Sequence, residues 1–152
     1  MNFLTGEYEC KLDTNRRMMI PGALKKKLPN VETEGLVINR GFEKQLVIYT
    51  RQEWNKKLEE LSKLNEYEPK NIKFIRSFTG GATELLPDSN GRVNIPQPLL
   101  EYAGIKADVV LTCLINKIEM WDKEAYMALQ VPEDYSAMAK EVMGEKPKGI
   151  QI

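Results

Sequence analysis

The chain repeats itself, and an internal repeat restricts the fold more than any composition can. Residues 6–28, GEYECKLDTNRRMMIPGALKKKL, align without a gap on residues 81–103, GATELLPDSNGRVNIPQPLLEYA. Gly6 meets Gly81, Glu9 meets Glu84, Asp13 meets Asp88, Arg17 meets Arg92, Ile20 meets Ile95, Pro21 meets Pro96 and Leu24 meets Leu99. After a small change of length, KQLVIYTRQEW meets NKIEMWDKEAY. At 152 residues the chain is long enough for one compact domain or two intertwined half-domains, with a core that needs no staple. Each copy predicts one supersecondary unit.

Within a copy the signals run in a fixed order. A short extended segment leads to the Asp, a polar turn follows, and a second extended segment ends at Ile-Pro. In the second copy Val93 and Ile95 fall on one face of that segment and Arg92 and Asn94 on the other. The proline suits the first turn of a short helix. In PGALKKKL, Leu24 and Leu28 point inward and the lysines outward, and in QPLLEYAG, Gly104 is the expected C-terminal cap. Each copy then closes with a hairpin, GLVINR-GFEK-QLVIY and DVVLTCL-IN-KIEMW. Between the copies, Trp54, Leu58 and Leu61 form an apolar stripe at helical spacing, and Pro69 opens a second helix with Ile72, Ile75 and Phe78. Both stripes are expected to pack into the core. After Trp121 a last helix is expected to run to about Leu129. Beyond Val131 the expectation is a helical turn or two and then a mobile tail.

Asp-x-x-x-Arg fits a three-residue hairpin loop, if the flanking segments pair antiparallel. Its favoured form is a type I turn followed by a left-handed residue. Gly91 holds that position in the second copy and bears no steric cost there. Arg16 holds it in the first, where the left-handed conformation costs about 1 kcal/mol or more. Either that turn is mildly strained or Asn15 takes the positive φ instead. Asp88 opposite Arg92, and Asp13 opposite Arg17, would hold each guanidinium in a defined direction.

Three readings of the doubled turn compete. A structural ion pair that staples a hairpin is the plainest, but exposed pairs contribute only about 0–1 kcal/mol, a weak reason for duplication. An aspartic hydrolase would need two carboxylates sharing a proton, hence one raised pKa. An arginine beside each Asp lowers both instead. DNA binding is the third: Arg and Lys would contact phosphates, and arginine forks would read guanine edges. Formal net charge is zero, so no global basic signal supports it. Residues 1–30 nonetheless hold Lys11, Arg16, Arg17, Lys25, Lys26 and Lys27 against Glu7, Glu9 and Asp13, so one face of the fold can be basic. The chain has no histidine, P-loop, zinc-ligand spacing or elbow serine, and no enzymatic activity, cofactor or metal is expected. Cys10 and Cys113 are expected as buried free thiols in a reducing compartment. MNFLTGEYEC has no basic or apolar leader region, and no apolar run approaches membrane-spanning length, which points to the cytoplasm.

The residues that carry the repeat also carry a family resemblance. Gly-Glu-Tyr-Glu leading to Leu-Asp-x-x-x-Arg-x-x-Ile-Pro, GGATE, the second Asp-x-x-x-Arg-Val-x-Ile-Pro, EYAGI and IEMWDKEAY resemble the MraZ proteins of bacteria over about residues 4–130. The resemblance implies an α+β fold of two pseudo-symmetric AbrB/SpoVT-type half-domains with swapped-hairpin β-barrel architecture, joined by a helical segment. The corresponding boundaries are 5–52 and 81–124 for the half-domains, 53–80 for the connecting helices and 125–152 for a C-terminal helix and tail. It implies a transcriptional regulator, typically a repressor of its own operon in the division and cell-wall gene cluster. It further implies a ring-shaped homo-oligomer on short direct repeats of promoter double-stranded DNA, in the cytoplasm and nucleoid-associated, with no membrane partner. By position, the DNA-binding motifs are Asp13 with Arg17 and Asp88 with Arg92. The chain departs from the family pattern at Arg16, where glycine is usual, and at Pro21-Gly22-Ala23, where Pro-Ala-(Lys/Arg) is usual.

The resulting expectation is that Arg17 and Arg92 make the main DNA contacts, supported by Arg16, Asn15, Asn90, Lys25 and Lys26. Asp13 and Asp88 orient the arginines, because a carboxylate facing phosphate would repel it. An oligomeric scaffold whose same turns dock a protein is the alternative.

Overall fold

A computed structural model describes residues 3–129 and 131–144. In chain order its elements are β1 (Glu7–Lys11), β2 (Arg17–Met19), α1 (Gly22–Lys25), α2 (Val31–Glu34), β3 (Leu36–Arg40), β4 (Leu46–Thr50), α3 (Arg51–Ser62), α4 (Pro69–Thr79), β5 (Thr83–Leu85), β6 (Arg92–Asn94), α5 (Gln97–Ala103), β7 (Asp108–Leu114), β8 (Lys117–Asp122), α6 (Lys123–Met127) and α7 (Tyr135–Met143). The result is a mixed α+β fold on a largely antiparallel sheet. Local chemistry explains most boundaries. The Thr50 hydroxyl accepts from Glu53 N at 3.3 Å and caps α3, and Pro69 opens α4. Gly104, left-handed at φ 61°, ends α5 as its sequence position predicts.

Strand pairing crosses between the two copies. The six-stranded sheet runs β1-β7-β8-β4-β3-β5, and β2 and β6 form a separate two-stranded ribbon. The β3–β4 and β7–β8 hairpins pair within a copy, whereas β1 pairs with β7, β5 with β3, β4 with β8 and β2 with β6. Exchanging the two copies therefore leaves the sheet order unchanged. Hydrogen bonding among the described strands closes no barrel, because β1 and β5 remain its edges and the ribbon stands apart.

Burial follows that topology. The main core joins both copies: Leu12, Met18, Ile20 and Leu24 from the first pack with Val93, Ile95, Leu99 and Leu100 from the second, over Ile38, Ile48, Val109 and Met120 of the sheet. A smaller cluster on the other face joins Val37, Val47 and Tyr49 to Trp54, with Phe78 and Ala82 against it. Strands β3 and β4 are thus covered on both faces, which their nearly unbroken apolar runs require. The helical stripes are less buried than their spacing predicts. Trp54 is buried, stacking on Phe78 at 5.8 Å, but Leu58 is exposed and α4 has no buried residue. The cause is position: α3 packs mainly on β4 and β3 and α4 mainly on β3, so each helix turns one face to the sheet and leaves the rest of its surface uncovered. Cys10 and Cys113 are free and half-buried rather than buried, and burial pushes the Cys10 thiol up to about 11. Helix α7 occupies residues 135–143, longer than the turn or two expected, and the tail expected beyond it lies at 145–152, outside the described residues.

Candidate nucleic-acid interface

The two Asp-x-x-x-Arg turns adopt one geometry. In the first, Asp13 Oδ1 accepts from Asn15 N at 2.8 Å and Arg17 N at 2.9 Å, while Oδ2 accepts from Arg17 Nε at 3.0 Å. In the second, Asp88 Oδ1 accepts from Asn90 N and Arg92 N at 2.9 Å each, and Oδ2 accepts from Arg92 Nε at 3.0 Å. The backbone closes both alike: Asp13 N donates to Arg17 O at 2.9 Å and Asp88 N to Arg92 O at 2.8 Å. Each carboxylate uses one oxygen to shape the turn and the other to grip its arginine. The grip takes Nε, so among the described residues the terminal nitrogens of both guanidinium groups carry no bond and can face outward. The backbone N–H of Arg17, then that of Asn15 and the Arg17 guanidinium, hold Asp13 below the usual carboxylate range, and Arg92 and Asn90 do the same for Asp88. Both carboxylates are kept ionised, opposite to the shared proton an aspartic dyad needs.

Arg16 takes the left-handed position at φ 61°, matching Gly91 at φ 80°; Asn15 does not. The reason lies in the other turn. Arg16 O accepts from Ile95 N at 2.9 Å and Gly91 O accepts from Ile20 N at 3.3 Å. A left-handed residue swings its carbonyl toward the strand leaving the opposite turn, so each turn anchors its counterpart. The strain at Arg16 is held by this bond and by the Asp13 latch.

The hairpin reading is conditional on each turn's own flanks pairing antiparallel, and the structure pairs β2 and β6 with each other instead. The local pairing stops at a single Leu12–Met18 bridge. Beyond it β2 turns to β6, with Arg17 opposite Asn94, Met18 opposite Val93 and Met19 opposite Arg92. Alternation then sorts the ribbon's faces. Met18 and Val93, each 1% exposed, seal the inner face. Arg17, Asn94, Met19 and Arg92 share the outer one, where Met19 and Asn94 are exposed and both arginines half-exposed. Arg17 and Arg92 are diagonal neighbours there, about 7–8 Å apart between backbones.

The remaining predicted residues divide. Asn15 and Asn90 lie exposed at the turn tips, with their N–H groups used by the aspartates. Arg16 and Lys26 are exposed. Lys25 is not free, since Nζ pairs with Glu32 at 2.8 Å, yet it lies beside Gly91 of the second turn. Met19 and Asn94 belong to the same surface and were not among the predicted contacts. The alternation that places Arg92 and Asn94 on one face was the signal for Asn94, but Met19 needed its partner strand. Among the described residues no group of three or more His, Cys, Asp or Glu side chains could hold a metal. Likewise no helix there is long and apolar enough to cross a membrane.

Comparison with known proteins identifies a family. The MraZ family model, described as "MraZ protein, putative antitoxin-like", matches residues 3–76 and 78–142. The chain is 42% identical over 144 residues to the transcriptional regulator MraZ of Christiangramia forsetii, covering 93% of each chain. It is 40% identical over 147 residues to that of Flavobacterium psychrophilum, covering 95% of this chain and 94% of the relative. To that of Cytophaga hutchinsonii it is 32% identical over 150 residues, covering 97% and 99%.

Proposed function

The chain belongs to the MraZ family, and from that membership we propose that it is a DNA-binding transcriptional regulator. One observation carries the reading: turns far apart in sequence bring Arg17 and Arg92 onto a single exposed ribbon, each aimed by its own ionised aspartate. A two-stranded ribbon fits the major groove of B-DNA, where arginine forks read guanine and neighbouring cations bind phosphate. Arg17 and Arg92 make the principal contacts. Arg16, Lys26, Asn15 and Asn90 flank them, and Lys25 joins if DNA displaces Glu32. Asp13 and Asp88 orient and stay off the phosphates.

The finer proposal is a cytoplasmic, nucleoid-associated repressor of the division and cell-wall gene cluster that includes its own gene. It binds short direct repeats as a ring-shaped homo-oligomer, with many weak contacts adding through effective concentration. Residues 5–52 and 81–124 are two SpoVT-AbrB-type half-domains of swapped-hairpin form, joined by 53–80 and followed by 125–152. A sheet order that is unchanged by exchange of the copies supports this division. A gel shift with DNA from upstream of its own gene, against random DNA of equal length, tests the proposal. Selective retardation is expected. Equal or absent retardation would refute it and favour an oligomeric scaffold whose turns dock a protein.

A further inference from the structure

We infer that Met19 and Asn94 are specificity-determining residues of the ribbon, setting which bases each end reads and so the direction in which one chain lies along its DNA element. The inference rests on the DNA-binding reading above. Exchange of the two sequence copies carries Arg17 onto Arg92 and Met19 onto Asn94. Both cross-strand pairs on the outer face therefore contain one arginine, but Arg17 faces Asn94 while Met19 faces Arg92. The arginines obey the pseudo-symmetry and their partners break it. An Asn amide can donate to and accept from the adenine edge in the major groove, whereas an apolar side chain packs on the thymine methyl. Identical residues at these positions would suit a palindrome, and Met with Asn do not.

The asymmetry reaches into the turns. Met19 Sδ lies 3.5 Å from where a side chain on Gly91 would begin, so the large residue covers the turn that has no side chain. Asn94 Nδ2 donates to Asn15 O at 3.4 Å, so the short residue meets the turn that carries Arg16. Contacts thus differ across the pseudo-twofold: Met19 lies against Gly91, and Asn94 against Asn15, the neighbour of Arg16. The Asn94 bond is long, and turning the amide to a base edge forfeits little. The two ends of the ribbon differ in base-reading chemistry and in cation content, because only the first turn adds a second arginine.

Selection from a random-sequence DNA pool, with the full-length protein and its Met19→Ala, Asn94→Ala and Met19→Asn/Asn94→Met variants, tests this. The wild type should select a repeat unit that is not its own reverse complement. Asn94→Ala should relax preference at one base position by about tenfold. The double exchange should move the preferences to the mirrored positions. A palindromic wild-type unit, or single variants that keep the wild-type profile, would overturn the inference. If the double exchange does not fold, the single variants at these exposed positions decide. Arg17→Ala separates the two levels: if it abolishes binding while the Met19 and Asn94 variants change no preference, direction fails and DNA binding stands. If the wild type selects nothing, both fail.

Discussion

Arg16 sits where its counterpart is Gly91, at a left-handed φ of 61°. The position costs an arginine about 1–2 kcal/mol, and the carbonyl it presents to Ile95 N explains why the conformation persists. Arg16→Gly should therefore raise the melting temperature by about 2–4 °C, the shift about 1 kcal/mol produces at this size, as differential scanning calorimetry would record. If Arg16 also meets phosphate, the same variant should bind DNA more weakly and reduce the salt slope by about 1. Both aspartates supply a pH test. Their folded pKa values lie below the unfolded one, so their contribution is present above the ordinary Asp value of about 3.9 and is lost as pH falls through the folded values. Melting temperature should hold from neutrality to about pH 4 and fall below it, and the Asp13→Asn/Asp88→Asn variant should flatten that fall. A fall already under way at pH 6 in the wild type, and removed by that variant, would contradict the latch. The latch itself was legible from the spacing of Asp and Arg. The choice of Arg16 over Asn15 was not, because it depends on a bond to a strand from the other copy.

The ribbon is the element on which the site depends, and its two faces answer to different forces. Met18 is 1% exposed in the core, and Met19 beside it is 53% exposed. Met18→Ala should cost about 2–5 kcal/mol, whereas Met19→Ala should stay within about 0.5 kcal/mol, as urea denaturation of the two variants would show. Alternation of faces was readable in the sequence at Arg92, Val93, Asn94 and Ile95. The partner was not. Strands β2 and β6 carry similar patterns and lie far apart in the sequence, and nothing in their local spacing distinguishes pairing with a neighbour from pairing across the repeat. The same limit explains α3 and α4: their stripes have helical period, but only the layering decides that Trp54 is covered and Leu58 is not. The Lys25–Glu32 pair, which takes one predicted DNA contact out of free play, likewise required the fold.

At the scale of the whole molecule, zero net charge is compatible with the proposed DNA-binding surface because residues 1–30 carry more basic than acidic side chains. Interleaved pairing brings both turns to one ribbon, and a homo-oligomer would repeat that ribbon around one face. Binding should therefore depend steeply on salt, with the slope set by the phosphates neutralised per assembly. A flat salt response would count against phosphate contacts. The repeat was legible in the sequence, and the pairing of β1 with β7, β5 with β3 and β2 with β6 across its two copies was not, because that depends on the fold. The claim that Arg17 and Arg92 form one DNA-reading surface is tested most directly by fluorescence anisotropy on an upstream repeat, comparing wild type with Arg17→Ala and Arg92→Ala at fixed salt. Each substitution should weaken specific binding by at least about tenfold, with melting temperature and assembly size unchanged. Wild-type affinity in either variant would contradict the account.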